Sequence, residues 1–252
     1  NCGLAVRKIC LSLADRVIHS EMKSRLTRPT LPGTNGRLRC VSCRAIEDRL
    51  VFVDIELATV RRRRAILQIA AVAATRSLLE LECFEAKIRL DEARFRPSQI
   101  PNRHFNLNQW REEGRSPKAV AVDFARFLSR HASASIAGAD GRQLIVAQLV
   151  AHNAEFDGVF LRKWFEDVGL FFPASYRIFC TMHRAMWYFH EDRSRLAPPD
   201  FKLGTLCRYF GVPFSPLEAH DALADVRATV ELYRRMSMLV AAQQAQLPQS
   251  LN

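Results

Sequence analysis

The sequence predicts an α/β fold built on a mixed sheet with helices on its faces. Two patterns predict it. Three apolar stretches close together near residue 50 read as strands, and beyond residue 116 helical periodicity alternates with a further apolar strand. Composition agrees: 48% of the 252 residues are hydrophobic and 25% charged, with only 10 Gly and 11 Pro, which excludes a chain that is mainly disordered or collagen-like. No apolar run is long enough for a membrane-spanning helix, so no membrane partner is expected.

Taken in order, residues 1–48 form a basic N-terminal extension. Nine Lys and Arg face two acids (Asp15 and Glu21) in its first 46 residues, so seven of the chain's eleven excess positive charges lie there. It is rich in Arg, with scattered Ser, and passes through the loop-forming Arg28–Gly36, the composition of a mitochondrial targeting segment or of an arm that docks on RNA or a protein assembly. A helix packed on its own domain is the plainer reading. The seven cysteines are odd in number and scattered, which fits a reducing intracellular compartment. Cys40 and Cys43 have the spacing of half a zinc site, but no second pair follows, so two unlinked thiols are the simpler account.

The domain proper runs over residues 49–240. Leu50–Val53 is a buried strand that ends at Asp54-Ile55-Glu56. Ala65–Val72 is a second strand and Leu79–Leu90 a third, together an antiparallel meander. Phe95–Pro117 is polar and loop-like. Ser116–His131 follows the helical period, Leu144–Val150 is a continuous apolar strand, and Phe156–Gly169 is a helix closed by its glycine. Ile178–Phe189 is helical in part, Lys202–Phe210 is a short helix stopped by Gly211, and Asp221–Val240 is a long one. Residues 241–252 are a polar, Gln-rich tail.

Four acids stand out by context. Asp54 and Glu56, two apart at the end of a strand, share one face. Two carboxylates at the end of an apolar strand are costly unless something positive joins them, and a divalent metal is the usual solution. Asp157 follows the turn after the fourth strand. Asp225 sits on the apolar-lined face of the last helix, with His220 at that helix's start. The order strand end, helix start, last helix, with separations of 103 and 68 residues, lets one fold bring them together.

The segments VFVDIE, ILQIAAV, LVAHNAEFDGVFL, FKLGTLCRYFGV and HDALADVRATVELY resemble the successive motifs of the DEDDh (DnaQ-like) 3′–5′ exonuclease superfamily across residues 49–238. The resemblance implies a ribonuclease-H-like fold with a mixed five-stranded sheet flanked by helices. It implies a metal-dependent 3′–5′ exonuclease hydrolysing single-stranded nucleic acid, with Asp54, Glu56, Asp157 and Asp225 holding two Mg²⁺ or Mn²⁺ ions and His220 taking the proton from water. Asn153 and Phe156 match the residues flanking the second motif's aspartate. The family's usual Thr-Thr-Gly after the first motif is replaced by Leu57-Ala58-Thr59, leaving Leu57 to wedge against a base, and Cys180-Thr181 stands where Asp-Thr is common. Arg61–Arg64 read either as a phosphate grip, led by Arg61 and Arg62, or as a solvated loop. RNA is favoured over DNA because the chain shows no polymerase domain to proofread for. The alternative is a nuclease-fold structural or assembly factor of a large ribonucleoprotein, such as a mitochondrial ribosome, docked through residues 1–46. A homodimer is also open, since related exonucleases are often dimers.

Overall fold

The computed structural model describes residues 48–60, 63–89, 107–138, 141–192, 194–215 and 221–246. The basic extension, Cys40 and Cys43, Arg61, Arg62, His220 and residues 247–252 of the tail lie outside the described residues.

The three expected strands form the meander: β1 (Arg49–Val60), β2 (Arg63–Thr75) and β3 (Glu80–Lys87). Helices α1 (Leu107–Glu113) and α2 (Pro117–Arg130) follow. Strands β4 (Ala134–Ala137), β5 (Gln143–Val146) and β6 (Leu149–Ala151) lead into helix α3 (Ala154–Asp167). The chain closes with β7 (Phe179–Cys180), α4 (Thr181–Glu191), α5 (Leu203–Tyr209) and α6 (Ala222–Gln246). The main sheet has the order β3-β2-β1-β6-β7. Its β3-β2-β1 half is antiparallel, and β1-β6-β7 is parallel. This is a ribonuclease-H-like mixed sheet of five strands.

Alternation along β1 sorts its side chains between two cores. Val51, Val53, Ile55 and Leu57 face the layer of α2 and α3 and pack with Phe124, Phe127, Leu161 and Phe165. Phe52 points the other way, onto α6, among Ala70, Val72, Ala222, Val226 and Val230. Each fully buried Phe or Leu contributes about 1.5–3 kcal/mol relative to exposure. The α6 side of β2 carries the small residues Ala70 and Ala74, which let the helix lie close to the sheet. The helix ends agree with the sequence: Ser116 caps α2, its hydroxyl accepting from Ala119 N–H at 3.3 Å. Gly169 and Gly211 take φ of +71° and +67° just past α3 and α5, where a side chain would be strained.

Two expectations are corrected. Leu144–Val150 is not one strand. Its first half pairs antiparallel with β4 in a separate two-stranded sheet, and its second half enters the main sheet as β6. The break falls at Ala147, whose N–H donates to Pro173 O at 3.0 Å while its carbonyl accepts from Ser175 N–H at 2.8 Å. Gln148 then donates its side-chain amide to Arg177 O at 2.7 Å. The polar stretch read as loop over Phe95–Pro117 contains α1, held by Trp110, which is buried and donates its indole N–H to Ile88 O at 3.0 Å. Of the other tryptophans, Trp164 packs in the core and Trp187 is exposed. Among the described residues, no helix is long and apolar enough to cross a membrane.

Candidate active site

The site forms where the sheet's ladders run out. Strand β6 pairs with β1 at Val51 and Phe52 and with β7 through Ala151, then leaves the sheet through His152-Asn153. Beyond that point the edge of β1 facing β6 has no neighbouring strand among the described residues, and the Asp157 carboxylate accepts the Ile55 N–H there. Asn153 makes the turn possible with a left-handed φ of +63°, a conformation Asn tolerates better than most residues. The first turn of α3 then delivers Asp157 to the side of β1.

From the other face, α6 brings Asp225. Asp54 and Glu56 alternate with Ile55, so they point to the α6 side. One carboxylate oxygen from each of Asp54, Glu56 and Asp225 lies within 4.8 Å of the others. Asp157 is close enough to raise both strand carboxylates.

Burial and mutual repulsion dominate the electrostatics. Asp54 is raised well above the usual carboxylate range by desolvation first, then by the charges of Asp157, Asp225, Glu56 and Asp221. Glu56 is pushed up to about 8 by desolvation and by Asp225, Asp157 and Asp221. Asp157 rises to about 7 through burial, opposed by its hydrogen bonds from its own N–H and from Ile55 N–H. Both Asp157 and Asp225 lie in the first turn of a helix, where the N-terminal dipole favours negative charge and offsets part of this cost.

These residues fit a divalent cation. The donors are all carboxylate oxygens, the set that hard cations such as Mg²⁺, Mn²⁺ or Ca²⁺ take, and they converge although charge repulsion drives them apart.

The structure also places residues that the sequence had not assigned to the site. Asp221 caps α6: its Oδ1 accepts Leu223 N–H at 3.1 Å and Ala224 N–H at 3.0 Å, and its carbonyl accepts Asp225 N–H at 2.9 Å. The signal was present as an Asp directly before an apolar-periodic helix. His152 is pulled down to about 4 by burial. Its Nε2 donates to Phe201 O at 3.0 Å, which leaves Nδ1 to accept the Thr181 hydroxyl at 2.9 Å. The ring thus ties the β6–α3 turn to the start of α4 and to the segment before α5.

Among the expected substrate contacts, Phe156 sits at the start of α3, edge-on to Phe160 with ring centroids 4.9 Å apart. Asn153 is exposed in its turn. Leu57 is corrected: it is 9% exposed and belongs to the α2/α3 core. Its side of β1 is opposite to that of Asp54 and Glu56, so it does not present a wedge beside them.

A ribonuclease-H-like sheet whose central strand carries two carboxylates, met by one from each flanking helix, defines a nuclease-type hydrolase domain. The chain belongs to the RNase_T family, described as exonuclease, whose family model matches residues 51–233. Comparison with curated proteins found no match. Among solved structures, the fold is similar to Escherichia coli exonuclease I in complex with a dT13 oligonucleotide, at 19% identity and a TM-score of 0.58, covering 80% of this chain and 42% of that one. It is similar to the zinc-bound E. coli exonuclease I–ssDNA complex, at 19% identity and a TM-score of 0.59, covering 80% and 42%. Exonuclease I from Methylocaldum szegediense gives 18% identity and a TM-score of 0.58, covering 79% and 41%. The likeness at these identities is one of fold, and the chain spans less than half the length of these exonuclease I chains.

Proposed function

We propose that the chain is a divalent-metal-dependent 3′–5′ exonuclease that hydrolyses single-stranded nucleic acid. The observation that supports this best is the convergence of Asp54, Glu56 and Asp225, three carboxylates from two separate elements, within 4.8 Å. In this reading Asp54, Glu56, Asp157 and Asp225 hold two Mg²⁺ or Mn²⁺ ions. When bound, such a pair supplies positive charge to the phosphoryl oxygens and lowers the pKa of water. Asp157 is aimed by the Ile55 N–H, and Asp225 is fixed by the cap that Asp221 provides. His220, one residue before Asp221, is the proposed base that takes the proton from water, as its ordinary pKa of about 6.5 suits work near neutrality.

The sequence favoured RNA, whereas the two Escherichia coli exonuclease I structures named above carry single-stranded DNA. We therefore take single-stranded DNA as the first substrate to try, with RNA of the same sequence beside it. The test incubates 5′-labelled strands with the full chain in Mg²⁺ or Mn²⁺. Stepwise shortening from the 3′ end is expected, and it should vanish in EDTA and in Asp54→Asn. Folded wild-type protein that shortens neither strand would refute the proposal. Cleavage of a circular single strand would instead mark an endonuclease.

A further inference from the structure

The turn that delivers Asp157 is held from one side by the junction between β7 and α4. Ala151 and Cys180 are ladder partners, and just past them the two strands pass into the first turns of α3 and α4. Cys180 Sγ accepts two backbone N–H groups, that of Ala154 at 3.5 Å and that of His183 at 3.4 Å, so one side chain meets the starts of both helices. Thr181, the next residue, is 1% exposed. Its hydroxyl lies 2.9 Å from His152 Nδ1 and 3.4 Å from Ala151 O. A hydroxyl has one proton to give. His152 Nε2 donates to Phe201 O, so Nδ1 carries a lone pair and takes that proton. Further along α3, a Cβ on Gly158 would fall 2.6 Å from Ile178 Cδ1, so the first turn of the helix also lies against the residue before β7.

These contacts matter at Asp157 because the site works against its position. The charge of Asp157 acts on both Asp54 and Glu56, and an outward shift of α3 would relieve that repulsion. Residues 153–156 alone separate His152 from Asp157, so fixing the His152 ring fixes the entry to the turn. A buried hydrogen bond resists the shift because breaking it leaves His152 Nδ1 without a partner. Cation sites of this kind tolerate little error in ligand position.

We propose that Thr181 is a positioning residue: through its hydrogen bond to His152 it fixes the β6–α3 turn and holds the Asp157 carboxylate in the acid cluster that takes a divalent cation. The inference rests on the proposed metal-dependent reading and adds to it a residue that touches neither metal nor substrate.

The test titrates Mn²⁺ into the full chain, without nucleic acid, by isothermal calorimetry. Thr181→Val keeps the branched shape of the side chain and removes the hydroxyl. It should weaken Mn²⁺ binding about tenfold, the lower end of what residues behind metal ligands contribute. Thr181→Ser, which keeps the hydroxyl, should bind as wild type does. His152→Gln keeps a donor for Phe201 O and loses the acceptor, so it removes the same bond from its other partner and should weaken Mn²⁺ equally. It carries the test if Thr181→Val does not fold. The double variant should bind no more weakly than either single one, because both act through one bond. Folded variants that melt at lower temperature yet bind Mn²⁺ as wild type does overturn the assignment and leave the acid cluster as the metal site. Losses that add in the double variant overturn it as well. Wild-type protein that binds no Mn²⁺ overturns the metal-dependent reading and the assignment together.

Discussion

Replacing Asp157 by Asn should stabilise the metal-free protein, and more so as pH rises. Asp157 is 3% exposed and its folded-state pKa is raised from 3.8 to about 7. For a raised carboxylate, the stability is present below the unfolded value and is lost as pH climbs through the folded one. Between pH 5 and pH 8 this one group should cost roughly 2.5 kcal/mol in metal-free buffer. Asn keeps an oxygen for Ile55 N–H but cannot ionise, so it escapes that loss. Any fixed penalty for a weaker hydrogen bond is the same at both pH values and cancels. The gap between variant and wild type should therefore widen by roughly 2.5 kcal/mol, or roughly 5–10 °C in Tm for a domain of this size. The assay is thermal unfolding by circular dichroism in EDTA at pH 5 and pH 8, repeated with saturating Mg²⁺. With Mg²⁺ the wild type should regain stability at pH 8 and the gap should narrow, because a bound cation compensates the charge. A gap that stays constant with pH in EDTA would refute the claim that burial raises the Asp157 carboxylate.

Two further substitutions separate roles that coincide in the structure. Asp221→Asn keeps an oxygen for the α6 cap but removes one charge from the field at Asp54 and Glu56. It should leave Tm within about 1 °C and raise the Mg²⁺ concentration needed for half-maximal activity, whereas Asp221→Ala also loses the cap and about 1 kcal/mol of stability. A half-maximal Mg²⁺ concentration that stays the same in Asp221→Asn would restrict Asp221 to capping. His152→Ala removes hydrogen bonds to Phe201 O and Thr181, and should lower Tm by roughly 3–10 °C as their buried partners are left without it. Thermal melts read this directly, and an unchanged Tm would mean that the turn is held by other contacts.

Much of this was legible in the sequence because its pattern is periodic. The meander, α2, α3 and α6 announce themselves through alternation or 3.6-residue spacing, and Asp54 and Glu56 through their place at the end of an apolar run. The failures have physical causes. Strand β4 is Ala-Ser-Ile-Ala, too small and too short for its alternation to stand out. Helix α1 is seven residues around one buried tryptophan, so tertiary packing rather than periodicity defines it. The division of Leu144–Val150 depends on Ala147 pairing with Pro173 and Ser175, partners more than 25 residues away that no local pattern reveals. Leu57 was misjudged because a motif match says nothing about which face of a strand a neighbouring residue takes. Alternation from Val53 and Ile55 puts it in the core. Arg64 was visible only as one of four consecutive arginines, and its contact with Phe156 joins residues 92 positions apart.

The site also shows how one fold reconciles stability with a charge cluster that works against it. On Asp54 and Glu56 burial and neighbouring carboxylates all act in the same direction. The countermeasures lie in the elements that deliver the acids. Two helix N-termini carry Asp157 and Asp225, the β1 edge gives Asp157 a backbone N–H, and Asp221 secures the start of α6. Each of these fixes position more effectively than it cancels charge, because helix-end effects are worth only about 0.3–1 kcal/mol each, against the roughly 2.5 kcal/mol that Asp157 alone should cost between pH 5 and pH 8. The remainder can be relieved by protonation or by a cation. Protonation dominates at low pH and surrenders the ligands. Near and above neutrality a divalent ion becomes the more effective partner, so metal affinity and folding stability should rise and fall together in this protein. A substitution that relaxes the cluster should therefore strengthen the metal-free fold and weaken the metal site in the same step.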